Sequence, residues 1–160
     1  MVTETETPKR KQRRRQGDPA LLEQLSDPWR LVNAPASEVR EALAGQPEGE
    51  VNALLEAVKQ AKAAIRERAK TGQAPALTVQ QQTALALVGA GLATSLQENP
   101  QGPLAGLEQA ALYLLALAQA GWKGNLYVCR HCGRIGPANS ARRLYCGPAC
   151  LMAARRAAEE

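Results

Sequence analysis

CRHCGRIGPANSARRLYCGPAC, residues 129–150, holds all four cysteines of the 160-residue chain and its only histidine. The spacing is Cys129-x2-Cys132-x13-Cys146-x3-Cys150. Two close pairs joined by a short loop can bring four thiolates round one tetrahedral ion. Zn2+ suits such a donor set, because it accepts soft sulfur ligands and does no redox chemistry of its own. Other uses of the thiols fit less well. The rest of the chain has no cysteine and no secretory segment, which argues against structural disulfides. Covalent haem attachment needs His directly after the second cysteine, where Gly133 stands. A redox pair would lack its strand–helix setting and leave Cys146 and Cys150 idle. Four cysteines also close the coordination shell, so the expected site is structural rather than catalytic.

Each half carries fitting local chemistry. Gly133 follows the second ligand, where a tight turn calls for positive φ while backbone N–H groups point at sulfur. Pro148 can open a helix, which puts Cys146 at its entrance and Cys150 in its first turn, both near the positive end of the helix dipole. The loop between the pairs is long enough for a small hairpin, with Ile135 and Leu144 as apolar contacts and Tyr127 and Tyr145 covering the metal. So small a unit has little core, and metal binding, worth ~10–16 kcal/mol in zinc-finger peptides, is expected to supply its folding energy. His131 is expected to face solvent or a partner.

Working outward, residues 18–121 read as helices. Asp18-Pro19 is a cap followed by proline at the first helical position, opening the short run ALLEQL. A second short helix follows Pro35 and stops at Gly45. A long helix is predicted over Glu48–Lys70, with Val51, Leu54, Leu55, Val58, Ala61 and Ile65 on one face. Lys59, Lys62, Arg66 and Arg68 share its other faces with Glu56 and Glu67, and Gly72 and Pro75 end it. Thr78-Val-Gln-Gln81 has the form of a capping box opening the next helix, which carries Leu85, Val88, Leu92 and Leu96. After a turn at Asn99–Pro103, a last helix presents Leu104, Leu107, Ala111, Leu114, Leu115 and Ala118 until Gly121. With no Phe, two Trp and three Tyr, the core must be Leu, Ala and Val, packed helix on helix. The Leu104–Gly121 run is broken by Glu108, Gln109 and Gln119, so it reads as a buried helix and not a membrane span. No signal-like segment opens the chain, and the expected location is the cytoplasm.

Charge is segregated: +4 over residues 1–17, −4 over 18–121 and +5 over 122–160. Three units are therefore expected: a disordered basic arm (1–17), a helical domain (18–121) and a four-cysteine zinc finger with an Arg-rich C-terminal helix (122–160). The arm clusters Lys9, Arg10, Lys11, Arg13, Arg14 and Arg15. Round the cysteines stand Arg130, Arg134, Arg142, Arg143, Arg155 and Arg156, all guanidinium, which suits bidentate phosphate contact. The two basic ends are the candidate nucleic-acid-binding surfaces for DNA or RNA. No carboxylate pair, Ser-x-x-Lys or phosphate loop stands out, so no enzyme activity is expected. The alternative is a protein-docking adaptor, using the zinc module and the bundle to bind a larger complex such as RNA polymerase or the ribosome.

The run of Cys129, Cys132, Gly133, Arg142, Arg143, Tyr145, Cys146, Cys150, Arg155 and Arg156 resembles small bacterial treble-clef-like zinc fingers. It is most similar to the C-terminal finger of the CGNR zinc-finger family, although Leu151-Met152-Ala153 stands where that family has Gly-Asn-Arg. The resemblance covers about the last 35 residues. It implies an all-α helical bundle preceding a treble-clef-like module, a bound Zn2+ and a role in transcription regulation.

Overall fold

The computed structural model describes residues 17–70, 77–120, 126–140 and 142–159. The basic arm with Lys9, Arg10, Lys11, Arg13, Arg14 and Arg15, and the stop signals Gly72, Pro75 and Gly121, lie outside the described residues. Two Asp-Pro steps start the fold. Asp18 caps α1 (Pro19–Leu25) by accepting from the Ala20 N–H, and Asp27 caps α2 (Pro28–Asn33) by accepting from the Trp29 N–H, both at 2.9 Å. In each case proline occupies the first turn, where its missing N–H costs nothing. α3 (Ala36–Ala42) follows Pro35, and the chain then turns through Gly45 at φ 88°.

Three long helices form the body. α4 spans Glu48–Lys70, α5 spans Val79–Glu98 and α6 spans Ala105–Ala120. The Thr78 box is complete: its hydroxyl accepts from the Gln81 N–H, and the Gln81 side chain accepts from the Thr78 N–H. α6 is the central helix, packed against α1, α2, α4 and α5. Its Ala110, Ala111 and Ala118 let neighbours approach closely, while Leu107, Leu114 and Leu115 fill the space between them. From α4, Val51, Leu54, Ala57, Val58, Ala61 and Ile65 complete this core. Trp29 of α2 meets Tyr113 of α6 edge to face at 6.0 Å.

Among the described residues two charged side chains of these helices are buried. Arg68 lies against the end of α6, where it donates to the carbonyls of Ala118 and Gln119, a cap from another helix rather than the solvent-facing cation its position suggests. Glu108 is 3% exposed; burial pushes its pKa up, an effect opposed by a hydrogen bond with Ser95 and reinforced by the Glu50 carboxylate. No described helix is long and apolar enough to cross a membrane.

The C-terminal module adds an antiparallel pair, β1 (Leu126–Val128) and β2 (Ile135–Pro137), and a last helix, α7 (Pro148–Glu159). The hairpin is not where the loop length suggested. It does not lie between the cysteine pairs; instead it flanks the first pair, so Cys129 and Cys132 sit in its turn. The physical reason is Gly133. Its φ of 72° lets the chain reverse within six residues, and Cys129 N–H donates to the Arg134 carbonyl at 2.8 Å to close the ladder.

The module also has more core than expected, because it borrows the body's. Ile135 and Leu126 are buried in the same apolar cluster as the helices. Asn33, the last residue of α2, accepts from the Ile135 N–H at 3.0 Å and donates to the Ile135 carbonyl at 2.6 Å. Its carboxamide thus serves as a strand partner for one residue. Arg66 of α4 donates through Nε and Nη2 to the Gly133 carbonyl, at 3.1 and 2.8 Å. Ile135 alone contributes about 1.5–3 kcal/mol through burial, so the body shares the stabilising role assigned above to metal alone.

Candidate metal centre

β1 and the hairpin turn present Cys129 and Cys132; the approach to α7 presents Cys146, and its first turn Cys150. The four Sγ atoms all lie within 4.8 Å of one another. Cys132 and Cys146 are 3.7 Å apart and Cys146 and Cys150 3.3 Å. A tetrahedron with Zn–S bonds of about 2.3 Å has sulfur–sulfur edges of about 3.8 Å. The four thiols therefore already surround one point at the spacing a tetrahedral ion needs. All four are free, so no disulfide competes for them. The structure brings together all four cysteines that the spacing singled out, as a candidate metal site.

The electrostatics of the cluster are those of a cage made for a cation. Burial works against ionisation of Cys129, but backbone N–H groups of Cys132, Cys146 and His131, with the Cys132 thiol, overcome it and bring its pKa down to about 6. At Cys150 the Cys146 thiol, burial and the nearby Cys129 charge push the pKa up to about 12. At Cys146 the bond with Cys150 favours ionisation, and burial and the other thiols outweigh it, so that pKa is also raised. Cys129 thus favours the thiolate while Cys146 and Cys150 favour the thiol, and a positive ion among them would offset that penalty.

The surrounding residues hold this geometry. The Gly133 N–H donates to the Cys129 carbonyl and the Arg130 N–H to the Leu144 carbonyl, both at 2.9 Å, which ties the first cysteine pair to the chain leading into the second. Arg143 lies over the Tyr127 ring at 4.3 Å and donates to the carbonyls of Tyr145 and Cys146. Its guanidinium is thus occupied inside the module, a brace at the second pair. Tyr127 is buried across the hairpin against Gly136, where an added methyl would come within 2.8 Å of the ring. Ile135 is an apolar anchor as the sequence suggests, but Leu144 stays 39% exposed. His131 is exposed and contributes its backbone to Cys129.

Arg130, Arg134, Arg142, Arg155 and Arg156 are exposed, and among the described residues none has an ion-pair partner. Between Glu108 and Glu159 the chain carries no carboxylate side chain, so none lies close in sequence to Arg130, Arg134 and Arg142, whereas Glu159 follows Arg155 by one turn of α7. Asn33 and Arg66, which bond to the module from the body, and Lys62, which lines a cleft with Cys132 and Arg134, are not legible as site residues in the sequence; the only hint is that Lys62 and Arg66 fall on one helix face four residues apart. The chain matches no known family model, no curated protein and no solved structure.

Proposed function

We propose that the four thiolates bind a structural Zn2+ and that residues 122–160 form a treble-clef-like zinc finger. The protein is then a regulatory protein that associates with DNA or RNA through this finger and the N-terminal arm, in transcription regulation. The observation that carries the reading is the set of exposed arginines that flank the four cysteines in sequence with no ion pair among the described residues, Arg130, Arg134 and Arg142 on the loops and Arg155 and Arg156 on α7. Guanidinium groups held on a rigid module suit phosphate oxygens, and metal would fix that module. The chemistry the ion supplies is charge compensation for the thiolates and rigidity, with no open coordination position.

The test is a titration of labelled duplex DNA and of structured RNA with zinc-loaded protein, with and without residues 1–17, at several salt concentrations. The logarithm of the DNA association constant should fall linearly with log salt, by ~0.9 per phosphate contact. Absence of binding to both polymers at low salt would refute the reading. Protein docking is the second reading, favoured by α5, whose Val79 and Leu87 are 80% and 70% exposed, and by Met152 on α7 at 46%.

A further inference from the structure

The acidic body has seven Lys and Arg residues, and three of them gather at its seam with the finger. A cleft of about 310 Å³ opens there, lined by Arg30 of α2, Lys62 and Arg66 of α4, and Arg134 and Cys132 of the finger. Among the described residues Glu38 is the single carboxylate in its wall, and it already bonds Arg30 at 2.8 Å. Four cations thus face one partly satisfied anion. A second cavity of about 450 Å³ shares Arg30, Asn33 and Arg134 and adds Trp29, Tyr127 and the carboxylate of Asp27, which caps α2.

We propose that this seam is a phosphoryl-binding groove, in which Lys62, Arg66, Arg30 and Arg134 close on a phosphate group. Arg66 is held at the groove, since its Nε and Nη2 are fixed on the Gly133 carbonyl, a bond that does not use Nη1. Burial, and then the neighbouring Arg66, lower the pKa of Lys62. An anion between them would relieve that like-charge crowding. The groove is composite: neither the body nor the finger alone supplies all four cations. Its phosphate can come from a nucleic-acid strand or from a free phosphomonoester. The strand source rests on the nucleic-acid reading above; the phosphate chemistry does not.

The experiment uses zinc-loaded full-length protein as wild type, Lys62→Gln, Arg134→Gln and, as a control, Lys59→Gln, whose cation is exposed beside Glu56 at 3.6 Å. Two probes are titrated: a labelled 20-base-pair duplex across a salt series, and guanosine 5′-monophosphate followed by NMR of the Lys62 side chain. Loss of one contact should weaken duplex binding about tenfold at 0.1 M salt and flatten the salt slope by about one unit for Lys62→Gln and Arg134→Gln. Lys59→Gln should behave as wild type. That result assigns the groove to a strand. Monophosphate shifts at Lys62 in wild type that vanish in Arg134→Gln, with duplex binding unchanged or absent, support the groove with a free phosphate as its source. Absent duplex binding would at the same time remove the nucleic-acid reading. Duplex binding indifferent to both substitutions, with no monophosphate response, overturns the groove and leaves Arg130, Arg142, Arg155 and Arg156, without Arg134, to carry the nucleic-acid reading. Silence from both probes overturns both.

Discussion

Asn33→Ala tests whether the finger is built onto the helical body. In the native protein the Asn33 carboxamide meets both backbone polar groups of Ile135, at 2.6 and 3.0 Å, and also donates to the Trp29 carbonyl at 2.7 Å. Ile135 is wholly buried, so truncating Asn33 removes the partner of both its N–H and its C=O, and water from the adjoining cavities replaces it only in part. Leaving a buried polar group unsatisfied costs ~1–3 kcal/mol, and two such groups with partial relaxation give an expected loss of about 2–4 kcal/mol. For a chain of this size each kcal/mol is worth ~2–4 °C in Tm, so the melting temperature of the zinc-loaded protein should fall by roughly 4–16 °C. Amide exchange at Ile135 should accelerate in step. Zinc stoichiometry should not change, because the four thiols are held by contacts inside the finger. Calorimetry, hydrogen exchange and metal analysis on the same samples read all three. A Tm within about 1 °C of wild type, with Ile135 still protected from exchange, would refute the reasoning.

Three further outcomes are expected. Gly133→Ala forces a Cβ onto a residue at φ 72° and to within 3.0 Å of the Arg66 guanidinium, and should cost ~1–2 kcal/mol in urea unfolding; a neutral effect would count against the turn geometry. Leu114→Ala, at the centre of α6 and fully buried, should lose about 2–5 kcal/mol by the same assay. Because the folded pKa of Glu108 is raised, its stabilising contribution is present below the ordinary carboxylate pKa and is lost as pH rises through the folded value. Wild type should therefore lose ground to Glu108→Gln as pH is raised from 4 to 7, and a stability difference that does not change with pH would exclude a raised pKa.

Much of this was readable because it rests on local rules. The capping box at Thr78, the apolar face of Glu48–Lys70 and the proline opening of α7 depend on residues within a turn or two of one another, and the structure has all three. The cysteine spacing is a similar local signal. α2 is not legible in the sequence although Asp27-Pro28 repeats the Asp18-Pro19 signal, because a six-residue helix offers no apolar period. That conceals Asn33 and Arg30, and with them the docking of the finger. The same blindness applies to Arg66 and Arg68: on a helical wheel both read as solvated cations, and only the tertiary fold shows one reaching Gly133 and the other capping α6. Glu108 looked like an interruption in an apolar run, and it is in fact buried. Pairings across the chain carry no local signature, so the seam could not be read from sequence.

The measurement that bears most directly on the account is zinc K-edge X-ray absorption on full-length protein purified without added metal. The account predicts one zinc per chain with four sulfur neighbours at about 2.3 Å and no nitrogen or oxygen in the first shell. Cys129→Ser or Cys150→Ser should lose the metal. A protein that carries no zinc, or one whose zinc is bound by nitrogen and oxygen, would contradict it.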